Sequence, residues 1–246
     1  MSSRQRSDNT RQPIEASLKE VDAWWTVLVI DPLALRVLPR LLRWSWATPN
    51  ALTLMAGTLG LCSGAAFLSG APVVGAVLFE LRFFFDCLDG KVARLRGGGS
   101  AVGGFLDRSI DIVIMAWAYC ALGLWLGQHG SLPAGLSLLP AVVALLWAWS
   151  SQYLGATRRD VASSVGRPVS PGSGPRRLLR GRRLTRLPGS VEATTLTLFL
   201  APLTASRAVM AAALWVVTTA FFLPATAHNF YSAARLLRRV DQEAAA

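Results

Sequence analysis

Read for hydropathy, the chain is a series of long apolar runs broken by short polar or glycine-containing stretches. Six runs read as membrane-crossing helices, at about 50–70, 72–95, 103–127, 132–154, 190–205 and 207–230. A helix needs about 20 residues to cross the hydrocarbon, fewer where its end sits in protein or in thinned lipid. The fifth run is short and contains Pro202, so its ends are the least defined. "AWWTVLVI" at 23–30 is too short to span. With "DPLALRVLPRLLRWSW" after it, mixing Leu, Trp and Arg, it predicts an interfacial helix on the membrane surface. The expected fold is all-α: a polytopic membrane protein with six transmembrane helices and an N-terminal interfacial helix.

The expected organisation is a disordered cytoplasmic tail over 1–18, an interfacial amphipathic region over 19–47, a six-helix domain over 48–232 and a cytoplasmic tail over 233–246. Residues 1–18 are polar, lack hydrophobic periodicity and show no secretory leader. No internal repeat or second domain is visible.

Composition fits this picture. Charged residues make up 16% of the 246, below the roughly 25% of an ordinary soluble domain. The net charge of +11 comes mostly from arginine, and it collects between apolar runs, not on a soluble face carrying nucleic-acid motifs. "SGAP" at 69–72 and "GQHGSLP" at 127–133 contain no Lys or Arg, and the turn near 205 has only Arg207. The other connections are basic: Lys91, Arg94 and Arg96 in one, a long series from Arg158 and Arg159 to Arg186 in another. Basic and uncharged connections alternate, the positive-inside pattern for an even number of spans with both ends cytoplasmic. The plasma membrane is the expected location. Cys62, Cys87 and Cys120 lie inside apolar runs at no metal-ligand spacing and read as buried thiols.

Against this background, "DCLDGKVARLRGGGSAVGGFLDRSID" at 86–111 holds four aspartates at the cytoplasmic ends of the second and third runs. At 100° per residue, Asp89 lies about −60°, Gly90 about +40° and Ala93 about −20° from Asp86. Gly103, Asp107 and Asp111, four apart, share a face of the next helix. The short glycine-rich connection lets the two helices lie antiparallel, so four carboxylates are expected to converge on one cavity floored by small residues. Clustered carboxylates repel one another unless cations neutralise them. Mg²⁺, which takes a few carboxylates and completes its shell with water and phosphate, suits such a site. Two ions would form the two-metal clamp of a phosphoryl displacement. Salt bridges to Arg82, Lys91, Arg94 and Arg108 are one alternative, and a cation transporter using the intramembrane aspartates is another. Glycine and alanine at fixed places between the acids favour a ligand-binding floor over both.

The series Asp86-x-x-Asp89-Gly90-x-x-Ala93-Arg94, eight residues, Gly103-x-x-x-Asp107-x-x-x-Asp111 resembles the signature of the CDP-alcohol phosphatidyltransferase family at every position. "TPNALT" at 48–53 resembles that family's lead into its first helix, and the likeness covers roughly 45–230. It implies attack by an alcohol on the β-phosphorus of a CDP-alcohol, with release of CMP, in phospholipid biosynthesis. It implies Mg²⁺ or Mn²⁺, two ions, with Asp86, Asp89, Asp107 and Asp111 as the metal-binding set and Asp111, at the edge of the cluster, also the catalytic base. Gly90, Ala93 and Gly103 would line the cytidine pocket, and Arg94 would hold nucleotide phosphates. The expected donor is CDP-diacylglycerol, with a soluble CDP-polyol as the alternative, and the acceptor is a small or lipid alcohol. Arg158, Arg159 and Glu192 are candidate acceptor ligands; lipid-headgroup contact for the arginines and a helix-start carboxylate facing the dipole for Glu192 explain them at least as well. Membrane lipids and a second copy of the chain are the other expected partners, with no nucleic acid.

Overall fold

The computed structural model describes residues 14–98, 100–165, 183–185 and 189–244. Residues 1–13 of the expected tail, most of the arginine-rich stretch at 155–189, and residues 245–246 lie outside the described residues. The described chain is helical, with one isolated parallel bridge between Asp22 and Leu184.

A π-turn, Thr26–Ile30, runs into helix α1, Asp31–Leu41. Four long helices follow: α2 Pro49–Leu68, α3 Pro72–Leu95, α4 Ala101–Gln128 and α5 Leu139–Val165. Helix α6, Ser190–Thr195, continues through a π-turn at Leu196–Leu200 to Leu203. Helix α7, Arg207–Val217, continues through another π-turn, Thr218–Phe222, into Leu223–Ala244.

Four of these stretches are long and apolar enough to cross a membrane: Pro49–Leu68, Ala101–Gln128, Ala134–Ala162 and Arg207–Arg238. This is two fewer than the sequence pattern predicts, for two physical reasons. At 1.5 Å per residue, α3 is about 36 Å long, ample for a bilayer. However, Glu80, Arg82, Asp86, Asp89, Lys91 and Arg94 interrupt its apolar character. Ser190–Leu203 is apolar but reaches only about 21 Å.

Helix α2 is the centre of the packing, against both α3 and α4. Gly60 and Gly64 make this possible, since a methyl group on either would overlap Ile114 or Trp117 of α4. The Trp117 indole then donates to the Leu61 carbonyl at 3.0 Å. Further polar ties cross between helices, as expected where the solvent offers no hydrogen bonds. Ser63 donates to the Gly75 carbonyl at 2.7 Å, the Tyr119 and Thr197 hydroxyls meet at 2.6 Å, and Asn229 donates to Ser151 at 2.9 Å.

Helix α1 is amphipathic. Ala34, Leu38 and Leu41 are buried in a cluster with Leu52, Leu88 and Val92, while Leu33, Val37, Arg36 and Arg40 face outward. Ile14 belongs to the same cluster and Ser17 is buried, so residues 14–18 pack onto the bundle. A buried ion pair anchors the start of α1: Asp31 meets Lys91 of α3 at 2.9 Å and Arg183 at 3.0 Å. Residues 183–185 also pair with the backbone of Asp22 and accept from the Trp24 indole.

Candidate active site

The helix ends that carry the acids are fixed by local sequence. Helix α3 stops because Gly97 and Gly98 take positive φ angles of 94° and 110°, closed to most side chains. The Gly98 amide then returns to the Ala93 carbonyl at 2.8 Å. Ser100 opens α4 by accepting from the Gly103 amide at 2.9 Å, and Thr48 opens α2 by accepting from Ala51 at 3.2 Å. The short connection thus keeps the acid-bearing ends of α3 and α4 near each other, while both helices pack against α2.

This arrangement brings Asp86, Asp89 and Asp107 together, each offering a carboxylate oxygen within 4.8 Å of the others. Asp89 is buried and accepts from the Thr53 hydroxyl of α2 at 2.5 Å. Asp86 has Arg82 one turn deeper, at 3.9 Å. Asp111 lines the same cavity, but its carboxylate is ion-paired with Arg82 and lies outside the three-acid group. All four acids therefore face one space, and three converge.

The acids sit where three cavities meet. One of about 470 Å³ is lined by Asn50, Thr53, Gly90, Ala93, Gly103 and Asp107, among others. A second, of about 340 Å³, is bordered by all four aspartates with Lys19, Lys91 and Arg94. A third, of about 200 Å³, is reached past Asp86 and Asp111 and presents Arg82, Arg108, Ser151 and Gln152. The small residues leave room instead of permitting helix contact: a Cβ on Gly90 would meet only the Arg94 guanidinium, at 3.5 Å. On Gly103 it would press Asn50 Oδ1 at 3.0 Å and Ser100 Oγ at 3.1 Å.

The donor set fits a hard divalent cation. Three carboxylates converge beside open space, and neither Arg94 nor Lys91 neutralises them by a close ion pair. The Arg94 Nε donates to the Ser17 carbonyl at 2.5 Å, and Lys91 is committed to Asp31. Oxygen-only ligands with room for water and phosphate suit Mg²⁺ or Mn²⁺.

The family model for CDP-alcohol phosphatidyltransferase matches residues 46–223. The chain belongs to this family. Among relatives of that kind, the phosphatidylinositol phosphate synthase of Corynebacterium glutamicum is 38% identical over 92 residues, covering 36% of this chain and 41% of that protein. The archaetidylinositol phosphate synthase of Methanothermobacter thermautotrophicus is 39% identical over 83 residues, 33% of this chain and 38% of that one. The match thus spans about two fifths of the length of these curated relatives. The crystal structure of Mycobacterium tuberculosis phosphatidylinositol phosphate synthase with CDP-DAG bound aligns with TM-score 0.53 at 19% identity, over 83% of this chain and 93% of that one. The same enzyme in complex with manganese and citrate gives 0.54 at 20%, over 83% and 88%. These likenesses establish a shared fold. The family and the four apolar helices make this an integral membrane protein.

The candidate acceptor ligands are placed differently from the motif residues. Arg158 and Arg159 lie near the end of α5, and with Glu192 they line none of the three cavities. Glu192 accepts from the amides of Trp25 at 3.2 Å and Gly189 at 2.6 Å, a helix-capping arrangement. Sequence reasoning passed over Thr53 as a partner of Asp89, although "TPNALT" marks its neighbourhood. Nor did it pick out Asp31, whose partners lie 60 and 152 residues away.

Proposed function

We propose that the chain is a membrane enzyme that transfers the phosphatidyl group of CDP-diacylglycerol to an acceptor alcohol and releases CMP. The observation that carries this is the three-carboxylate cluster beside a glycine-floored cavity, with a fourth aspartate held at its edge. In the reaction the acceptor oxygen forms a bond to the β-phosphorus while the bond to the CMP phosphate breaks, its electron pair leaving with CMP. Asp111 takes the acceptor's proton. Asp86, Asp89 and Asp107 would hold two ions, Mg²⁺ or Mn²⁺, whose charge offsets that of the phosphates. Gly90, Ala93 and Gly103 leave room for the cytidine, and Arg94 contributes positive charge beside Gly90.

A lipid donor is supported by an apolar groove of about 300 Å³ between α2 and α4, lined by Leu54, Leu61, Ile110 and Val113. It lies along the same two helices that border the 470 Å³ cavity, one or two turns deeper. A donor with its nucleotide among Gly90 and Gly103 would have an acyl chain within reach of that groove. The names of the relatives support an inositol phosphate acceptor. The cavity bearing Arg82, Arg108, Ser151 and Gln152, across the acids from the nucleotide cavity, is the site we assign to it.

Six spans remain our reading of the topology. Helix α3 crosses with Arg82, Asp86, Asp89 and Arg94 turned to the site, and Ser190–Leu203 crosses packed against α3. Both ends and the site face the cytoplasm of the plasma membrane, α1 lies in the interface, and the domain over 48–232 assembles as a homodimer. Chelation tests the central claim. CMP release from a CDP-alcohol should stop in excess chelator and return with Mg²⁺ or Mn²⁺; undiminished release in chelator refutes the role given to the three aspartates. Cation flux in proteoliposomes that ignores cytidine nucleotides, with no CMP release, would instead establish a transporter.

A further inference from the structure

Arg82 lies within α3, which we read as crossing the membrane, outside the family signature, and its side chain is only 9% exposed. A buried cation in that setting is costly and is retained where it has a partner to serve. Among the described residues its close carboxylate partner is Asp111, while Asp86 is farther off at 3.9 Å. Its guanidinium also lies over the Phe79 ring, 5.7 Å from the centroid, which fixes the plane of the fork. Its Nε is buried and unpartnered among the described residues, so its hydrogen bonding is concentrated at the end that faces Asp111.

We infer that Arg82 is a positioning residue that holds Asp111 out of the metal cluster, at the mouth of the acceptor cavity. This role presupposes the function proposed above. Four aspartates border one cavity, and nothing in their helical spacing distinguishes Asp111 from the three that converge. A free carboxylate beside a divalent cation is drawn to it, and a carboxylate that ligates a metal is a poor acceptor of protons. The guanidinium is a fixed fork that stays charged, so it can keep Asp111 turned toward the space lined by Ser151 and Gln152. The division of labour among four like residues then comes from one arginine on the neighbouring helix.

The test combines Arg82→Met with Asp111→Asn, singly and together, measuring kcat for CMP release and, separately, Mn²⁺ affinity by electron paramagnetic resonance. Arg82→Met should lower kcat by about 10²-fold, the scale of a misplaced reacting group, with little change in KM for the CDP-alcohol. It should also tighten Mn²⁺ binding severalfold, because a positive charge leaves the neighbourhood and Asp111 becomes available as a ligand. In the Asp111→Asn background, Arg82→Met should change kcat by less than about twofold, since the two residues act as one unit. Arg82→Lys, which keeps the charge without the fork, should fall between wild type and Arg82→Met. Multiplying kcat losses in the double variant, or Mn²⁺ binding that weakens in Arg82→Met, would overturn the inference in favour of a purely structural arginine. Should Arg82→Met not fold, Arg82→Gln carries the same comparison. Failure of the wild type to release CMP from any CDP-alcohol would count against the proposed function, and in that case the Mn²⁺ titration still decides whether Arg82 restrains Asp111.

Discussion

Replacing Thr53 by valine removes one hydroxyl and almost no volume, at the point where α2 touches the metal cluster. That hydroxyl donates to Asp89 at 2.5 Å, and Thr53 and Asp89 are 5% and 6% exposed. Water is therefore poorly placed to replace it. A hydrogen bond to a charged group contributes about 1.5–3 kcal/mol, and outer partners of metal ligands typically matter 10–100-fold in affinity. Two effects oppose each other. A carboxylate stripped of a donor is intrinsically a stronger cation ligand, but it is also free to turn away from Asp86 and Asp107. With three oxygens already confined within 4.8 Å, position should outweigh basicity. Thr53→Val should weaken Mn²⁺ binding about 10–100-fold and raise by the same factor the metal concentration needed for half-maximal activity. Thr53→Ser should restore both. Titrating Mn²⁺ by electron paramagnetic resonance provides the measurement. Unchanged affinity in Thr53→Val, with the fold intact, would refute the idea that α2 orients Asp89.

Asp111→Asn should depress turnover by about 10²–10⁴ while leaving CDP-alcohol binding nearly intact, whereas Asp86→Asn should weaken metal and nucleotide binding together. Nucleotide titrations at several metal concentrations separate the two; equal losses in both variants would make Asp111 a metal ligand. Gly103→Val places carbon against Asn50 and Ser100 and should raise KM for the CDP-alcohol by about tenfold or more, with a smaller effect on kcat. Lys91→Met strands the buried Asp31 carboxylate. Breaking such a pair costs about 3–5 kcal/mol, less here because Arg183 remains at 3.0 Å. A lowered melting temperature in detergent should follow, partly recovered in the Asp31→Asn, Lys91→Met double variant.

The parts legible in the sequence were those encoded locally. The breaks at "SGAP" and "GQHGSLP" end up between α2 and α3 and after α4, because glycine, proline and polar residues interrupt helices wherever they fall. The 100° rotation put Asp86 and Asp89 on one face of α3, and the structure brings both to Asp107. What could not be read depended on contacts between distant segments. The choice of Arg82 for Asp111, and of Lys91 for Asp31, is made by how α3 meets α4 and α1, which no periodicity encodes. The π-turns at Thr26–Ile30, Leu196–Leu200 and Thr218–Phe222 were equally hidden, since the apolar pattern runs through them unbroken. Arg158, Arg159 and Glu192, singled out for their charge alone, line none of the three cavities.

The most direct measurement is product analysis with the purified protein in detergent, supplied with Mg²⁺, CDP-diacylglycerol and labelled inositol phosphate. CMP and a labelled phospholipid should appear in equal amounts, both falling by about 10²–10⁴ in Asp111→Asn and ceasing in excess chelator. CMP release from neither CDP-diacylglycerol nor any soluble CDP-alcohol, with the metal bound and the protein folded, would contradict the assignment of the aspartates to this chemistry.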